Sequence, residues 1–291
     1  MRVLITGAGG QVGRELQRTA PADAQVAAMD RSRLDITDVL ALERTIGELQ
    51  PDLIINAAAY TAVDLAEQQA ELAFAVNARG AGNVAAAAAR VKARMIHIST
   101  DYVFDGRASI PYGPDAVPAP LGVYGQSKLD GEREVLAATG KQALILRTSW
   151  LYATQGRNFL RTMLGLMETR DEIRVVADQV GTPTWAGSLA AAIWQISGKN
   201  GSSGIWHWTD AGVASWYDFS VAILEEARTL GIVRKAVRLI PIRSAEYPTP
   251  APRPAYSVLD KGRTWTLLET QPEHWRVTLR RALAGYRPDA I

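Results

Sequence analysis

Gly7, Gly10 and Gly13 follow directly on the apolar run Val3-Leu4-Ile5. Glycines there let a strand turn sharply into a helix, and the missing side chains let phosphate oxygens reach the backbone N–H groups at the positive end of that helix. The spacing, three and three, differs from the two-then-three of the common dinucleotide fingerprint, so a purely structural strand-to-helix turn stays open on these residues alone. Asp30 narrows it. It ends the next apolar run, about 20 residues on, where a carboxylate accepts from an adenosine ribose 2′-OH, while Arg31 beside it suits a 2′-phosphate.

Strand-length apolar runs recur at Arg2–Thr6, Gln25–Met29, Asp52–Ala58, Arg94–Ser99 and Ala143–Thr148. Helix-like stretches lie between them, at Gln11–Thr19, Val39–Leu49, Ala70–Val91 and Gly125–Ala138. That alternation predicts right-handed βαβ crossovers and an α/β fold with a Rossmann-type, doubly wound parallel sheet. After Tyr152 the character changes. Helices are predicted at Phe159–Glu168, Leu189–Ser197, Trp216–Leu230 and Pro272–Tyr286, and strands at Ile173–Ala177, Ile205–Thr209 and Val237–Ile242, with a proline-rich, irregular Tyr247–Pro254. The expected division is residues 1–152 as an NAD(P)-binding domain and 153–291 as a smaller substrate-binding lobe, its connections interleaved with the first.

With 291 residues and 47% hydrophobic content, the chain can bury a sizeable core without staples. Thirty-two basic against thirty acidic residues leave a formal net charge of +2. No global field recruits nucleic acid or an acidic membrane. The absence of cysteine removes disulfides, thiolate zinc sites and cysteine nucleophiles together. The start runs straight into a strand with no signal-peptide pattern, and no apolar run reaches spanning length; the expectation is a soluble, cytoplasmic protein.

Ser99-Thr100-Asp101 leaves the fourth predicted strand, and open parallel sheets place ligands in the crevice beyond the carboxyl ends of their strands. Tyr124-Gly-Gln-Ser-Lys128 puts a phenol and an ammonium one helical turn apart on one face. With Thr100 they make a Thr–Tyr–Lys set: the threonine polarises a carbonyl oxygen, the phenol, of ordinary pKa about 10, donates a proton as hydride arrives, and the lysine tunes the phenol and holds the nicotinamide ribose. Asn77, polar on an otherwise apolar helix face, serves either water-mediated catalytic support or helix–helix bonding. His97, His207 and His274 are scattered without metal-ligand spacing, and no serine sits in a nucleophile elbow. No metal is expected.

These residues resemble the extended short-chain dehydrogenase/reductase superfamily and, within it, the dTDP-4-dehydrorhamnose reductases. The match runs over nearly the whole chain. It rests on Gly7–Gly13, Leu34-Asp35-Ile36, Asn56-Ala-Ala-Ala-Tyr-Thr-Ala-Val-Asp64, Ser99–Gly106, Val123–Glu132, Arg147-Thr-Ser-Trp-Leu-Tyr152, Asn158-Phe159, Gly181-Thr-Pro-Thr184 and Tyr247–Pro254. The resemblance implies Thr100, Tyr124 and Lys128 as catalytic. It adds Gln11, Val12, Asp35, Ile36, Ala59, Tyr60 and Thr61 to Gly7, Gly10, Gly13, Asp30 and Arg31 as cofactor residues, with Tyr124 and Lys128 also touching the cofactor. It places Thr100, Asp101, Trp150, Asn158 and Arg253 against a sugar nucleotide, although a core tryptophan would also suit position 150. The implied activity is NADPH-dependent reduction, with NADH also accepted, of the C4 keto group of dTDP-4-dehydro-L-rhamnose. Some relatives dimerise through carboxylates holding magnesium; here Trp185-Ala-Gly-Ser188 carries no acid. A monomer or weak homodimer is therefore expected. Two rivals are an NAD-dependent sugar-nucleotide epimerase or dehydratase, and a non-catalytic NADP-binding regulatory subunit.

Overall fold

The computed structural model describes residues 1–199 and 201–287. Strands β1 (Arg2–Thr6), β2 (Gln25–Met29), β3 (Leu53–Asn56), β4 (Arg94–Thr100) and β5 (Leu144–Thr148) join a later strand, Gly204–His207, in one six-stranded sheet. Every neighbouring pair is parallel, in the spatial order β2, β1, β3, β4, β5, Gly204–His207. Both faces are covered, which explains why the strands are continuous Val, Leu and Ile runs and not alternating ones. On one face Leu4, Ile54 and Ile145 pack against α2 (Val39–Leu49) and the helix Ala81–Arg90. On the other, Val3, Ile5, Ile55 and Ile96 meet α1 (Gln11–Arg18) and the helix Ala186–Ser197. This is the doubly wound α/β architecture the alternation predicts. Chain order reverses between β1 and β3, which opens a crevice beyond their carboxyl ends.

The second half is woven into the first. Gly204–His207 pairs with β5, and Ala186–Ser197 covers the same sheet face as α1. A single cut after residue 152 therefore does not separate two layers. A separate core gathers the helices Phe159–Thr169, Trp216–Thr229 and Trp275–Ala284 over a two-stranded parallel sheet of Glu172–Val176 and Arg238–Ile242.

Two local departures from sequence expectation have physical causes. The helix expected over Ala70–Val91 is interrupted by a π turn at Ala75–Gly80. There the chain bends to the tyrosine-bearing helix Val123–Ala138, and a Cβ on Gly131 would lie 2.0 Å from the Asn77 carbonyl oxygen. The last helix begins at Trp275 and not at Pro272, because the His274 ring caps it by accepting from the Arg276 N–H at 3.3 Å. A short helix, Gly262–Leu268, was not anticipated.

What fastens the tyrosine helix to the sheet is a buried ion pair. Arg147 of β5 donates to Glu132 through Nε at 2.8 Å and Nη2 at 2.6 Å, and the Ser99 hydroxyl of β4 donates to the same carboxylate at 2.5 Å. The two charged side chains are only 1% and 2% exposed. Arg147→Ala or Glu132→Ala leaves one charge buried alone and should lower the unfolding free energy by about 3–5 kcal/mol. Replacing both, by Met and Leu, should lower it by less; urea denaturation of the single and double variants measures the difference.

Candidate active site

Gly7 leaves β1 with φ +71°, and a Cβ on it would stand 2.5 Å from the Ala58 backbone nitrogen at the end of β3. Glycine is thus what lets the two strand ends meet, and the floor between them is bare backbone. α1 starts just beyond, with Gly10 as N-cap and no capping side chain, so the first-turn N–H groups have no partner within the helix. A groove of about 460 Å³ runs across this floor. Of the expected cofactor residues, Gly7, Gly10, Asp30, Arg31, Asp35, Ile36, Ala59 and Tyr60 line it.

Three others do not put side chains there. Val12 is buried in the sheet core, and Gly13 packs on Gly7, whose carbonyl oxygen would be 2.4 Å from an added Cβ. Each has only its backbone N–H to offer. Thr61 is exposed, one residue past the lining. Gln11 has a buried Oε1 with no hydrogen-bond partner in the protein, an acceptor suited to a ligand N–H or hydroxyl. The bare floor, the uncapped helix start and this orphaned acceptor together fit a dinucleotide.

Asp30 accepts three hydrogen bonds on Oδ1, from the Ser32 hydroxyl at 2.7 Å and from the N–H groups of Ser32 and Arg33 at 3.0 and 3.2 Å. They hold its carboxyl below the usual range, with the Ser32 hydroxyl foremost. Arg31 is exposed and 3.2 Å from Asp35. Ser32, Leu34 and Val76 also line the groove and were not foreseen. The first two sit inside the Asp30–Ile36 loop, where reading the loop as continuous would have found them; Val76 arrives from a helix, with no local signal.

Thr100 ends β4 and caps the short turn Asp101–Val103, accepting from the Tyr102 N–H at 3.2 Å and donating to Asp101 Oδ1 at 2.9 Å. Tyr124 stands in the first turn of its helix, close enough for the Thr100 hydroxyl to draw its pKa down. Burial, the larger effect, pushes that phenol well above its ordinary value, and Asp101 adds to the rise. The phenol therefore keeps its proton at neutral pH. Lys128 departs from expectation. It is 2% exposed, and its nitrogen donates to the Ile98 carbonyl at 2.7 Å and lies 3.4 Å from His97 Nε2, so β4 and not the phenol engages it. Burial pulls it down to about 8, against the opposing pull of Glu132.

Asn77 joins two elements of the site. It bonds the Tyr60 N–H and carbonyl at 2.8 and 3.0 Å and the Ser127 hydroxyl at 3.0 Å, and Ser127 in turn donates to the Tyr124 carbonyl at 2.8 Å. The groove loop and the tyrosine helix are tied through one amide.

Around the phenol, Tyr102 meets Tyr124 edge-on with ring centroids 5.5 Å apart. Arg253 donates to the Tyr102 hydroxyl at 3.2 Å and to Asp64 at 2.7 Å, which pins the proline-rich segment over the site. Tyr102 and Asp64 belong to motifs quoted above but had been given no role; the need of a half-buried arginine for an acid was the available signal. Asp101 is 1% exposed with Oδ2 unpartnered, and burial raises it to about 6 against hydrogen bonds from Ser257 and Thr100.

Trp150 follows β5 in the left-handed region, φ +47°, with its ring flat on Trp216 at a centroid distance of 3.5 Å. Strain of that kind costs about 1–3 kcal/mol and gathers at ligand sites. Asn158, expected on the substrate, is instead a helix cap. Its oxygen accepts from the Arg161 N–H at 3.1 Å and its amide donates to the Ala153 and Gln155 carbonyls at 2.8 and 3.1 Å. Both amide hydrogens are spent on its own loop. Among the described residues no three of His, Cys, Asp and Glu cluster as a metal site, and no helix is long and apolar enough to cross a membrane.

A family model described as the RmlD substrate binding domain matches residues 1–287. A dTDP-4-dehydrorhamnose reductase of Aggregatibacter actinomycetemcomitans is 43% identical, covering 96% of this chain and 97% of that protein. Among solved structures, a dTDP-4-dehydrorhamnose reductase from Bacillus anthracis str. Ames in complex with NADP has a TM-score of 0.92 at 37% identity, covering 97% of this chain and 98% of that one. An orthologous reductase from Clostridium acetobutylicum has a TM-score of 0.90 at 43% identity, covering 98% and 99%.

The glycine floor yields a test independent of turnover. Gly7→Ala forces a Cβ into the Ala58 backbone and a strained φ, so it should destabilise the fold by at least about 1–3 kcal/mol, and its thermal melt should no longer rise on adding NADP.

Proposed function

Since the chain belongs to the family of the RmlD substrate binding domain, we propose that it reduces the C4 keto group of dTDP-4-dehydro-L-rhamnose to give dTDP-L-rhamnose, using NADPH and also accepting NADH. The observation that carries this reading is the placement of the Tyr124 phenol beside Thr100 at the carboxyl end of β4, adjoining a glycine-floored groove at the switch point of the sheet.

The first-turn N–H groups of α1 receive the pyrophosphate, and Asp30 receives the adenosine ribose. Arg31, with Arg33 two residues on, meets a 2′-phosphate, which favours NADPH. When bound, the reduced nicotinamide supplies the hydride. Thr100 turns its hydroxyl to the C4 oxygen and polarises it, and Tyr124 gives that oxygen its proton. Lys128 holds the nicotinamide ribose and, as an ammonium, steadies the phenolate left behind. Trp150, braced on Trp216, covers the apolar face of the deoxy sugar or stacks on the base. Asp101 borders the sugar, and Arg253, oriented by Asp64 and Tyr102, serves the diphosphate. Asn158 is left out of the substrate set because its amide is committed to capping. The enzyme acts in the cytoplasm as a monomer or weak homodimer, residues 1–152 carrying most of the cofactor site and later residues most of the substrate site.

Incubation with NADPH and dTDP-4-keto-6-deoxy-L-mannose generated in situ should oxidise the nucleotide in proportion to the sugar. A sample that carries bound NAD and consumes no added nucleotide would mark an epimerase or dehydratase. Tyr124→Phe should reduce kcat by roughly 10²–10⁴ with nucleotide affinity nearly intact; undiminished turnover removes the phenol from the mechanism, and a wild-type chain that binds NADP but turns nothing over favours the regulatory reading. Because the lysine must be charged to steady the phenolate, kcat should fall as pH rises through about 8, where Lys128 loses its proton. A rate flat to pH 10 would contradict that role.

A further inference from the structure

A line of buried polar groups runs beneath the site from β1 to the tyrosine helix. Thr6 Oγ1 donates to Asn56 Oδ1 at 2.7 Å, and the Ala58 N–H donates to the same oxygen at 3.2 Å. A backbone N–H cannot accept, so the orientation of the amide is settled, and its NH₂ faces His97 Nδ1 at 3.1 Å. Nδ1 must then offer a lone pair, and the neutral ring carries its hydrogen on Nε2. Nε2 is 3.4 Å from Lys128 Nζ. Thr6, Asn56 and His97 are 0% exposed and Lys128 2%, so solvent does not relieve the arrangement.

We propose that His97 is a positioning residue for Lys128: Asn56 locks the ring as the Nε2–H tautomer, and that N–H is directed at the lysine nitrogen, where a neutral amine receives it and an ammonium, with three donors and no lone pair, opposes it. The charge beside the phenol is thereby set partly from β1, β3 and β4, through the neutral, fully buried side chains of Thr6, Asn56 and His97. Burial foremost, then the lysine, keeps His97 well below its ordinary pKa, so the ring stays neutral. Glu132 favours the charged lysine, but its carboxylate is held by Arg147 and Ser99. Asp101, beyond β4, is engaged with Thr100, and Tyr124 keeps its proton.

The catalytic meaning of this coupling rests on the reductase reading; its test does not, because it is made on the full chain without nucleotide or turnover. ¹⁵N NMR should show His97 as the neutral Nε2–H tautomer from about pH 6 to 9, with its Nε2 shift moving at the same midpoint as the Lys128 ¹³Cε signal, near 8. An Nδ1–H ring, an imidazolium, or a His97 signal that ignores the lysine's titration overturns the proposal. In Asn56→Asp the carboxylate accepts, the hydrogen moves to Nδ1, and Nε2 becomes an acceptor for the ammonium. The Lys128 midpoint should then rise by about one pH unit or more, a tenfold gain in proton affinity. A flipped tautomer with an unmoved lysine overturns the coupling. Should that variant not fold, the wild-type spectra still decide. Spectra that fail beside normal sugar reduction leave the activity standing, and the reverse outcome removes the activity alone.

Discussion

The buried pair of Arg147 and Glu132 sets the register of everything the site needs. It bridges β5 to the helix that carries Tyr124 and Lys128, and Ser99 of β4 joins the same carboxylate one residue before Thr100. A buried ion pair is weak evidence for stability, since desolvation offsets most of the attraction. Its value here is positional. Bidentate geometry admits one placement of helix on sheet, and that placement puts the phenol beside the threonine.

A second constraint comes from steric closeness. β1 and β3 are paired neighbours at the switch point, and the left-handed turn at Gly7 lets the chain beyond their ends approach until backbone meets backbone. The crevice that opens beyond is floored by peptide groups and begins a helix with no cap of its own. Asn77 then joins the groove loop to the tyrosine helix through Tyr60 and Ser127. The groove and the Tyr124 helix are thus parts of one hydrogen-bonded frame, and the π turn carries Asn77 within it.

Burial then assigns protonation states. It raises the Tyr124 phenol, raises Asp101 to about 6 and lowers Lys128 to about 8, in each case by disfavouring the charged form. The lysine is not among the causes of the Tyr124 shift. Lys128 is instead gripped from β4, by Ile98 and His97. The spacing of Tyr124 and Lys128 in sequence suggested a direct couple; in the structure the lysine nitrogen meets β4 instead.

Much of this was readable from residues. Apolar runs alternating with helical stretches determined the parallel doubly wound sheet, because strands buried on both faces and crossovers of helix length have few other arrangements. Gly7, Asp30, Thr100, Tyr124 and Lys128 were each legible as candidates, since each answers to a local rule: a turn, a strand end, a helical spacing. Asn158 misled for the same reason, as a polar residue in a shared motif looks alike whether it caps a helix or binds a ligand. The pairings of His97 with Asn56, Arg253 with Asp64, and Trp150 with Trp216 were decided by tertiary structure. Their partners lie 41 to 189 residues away, and hydrogen-bond direction, ring stacking and desolvation depend on distances that no sequence spacing encodes.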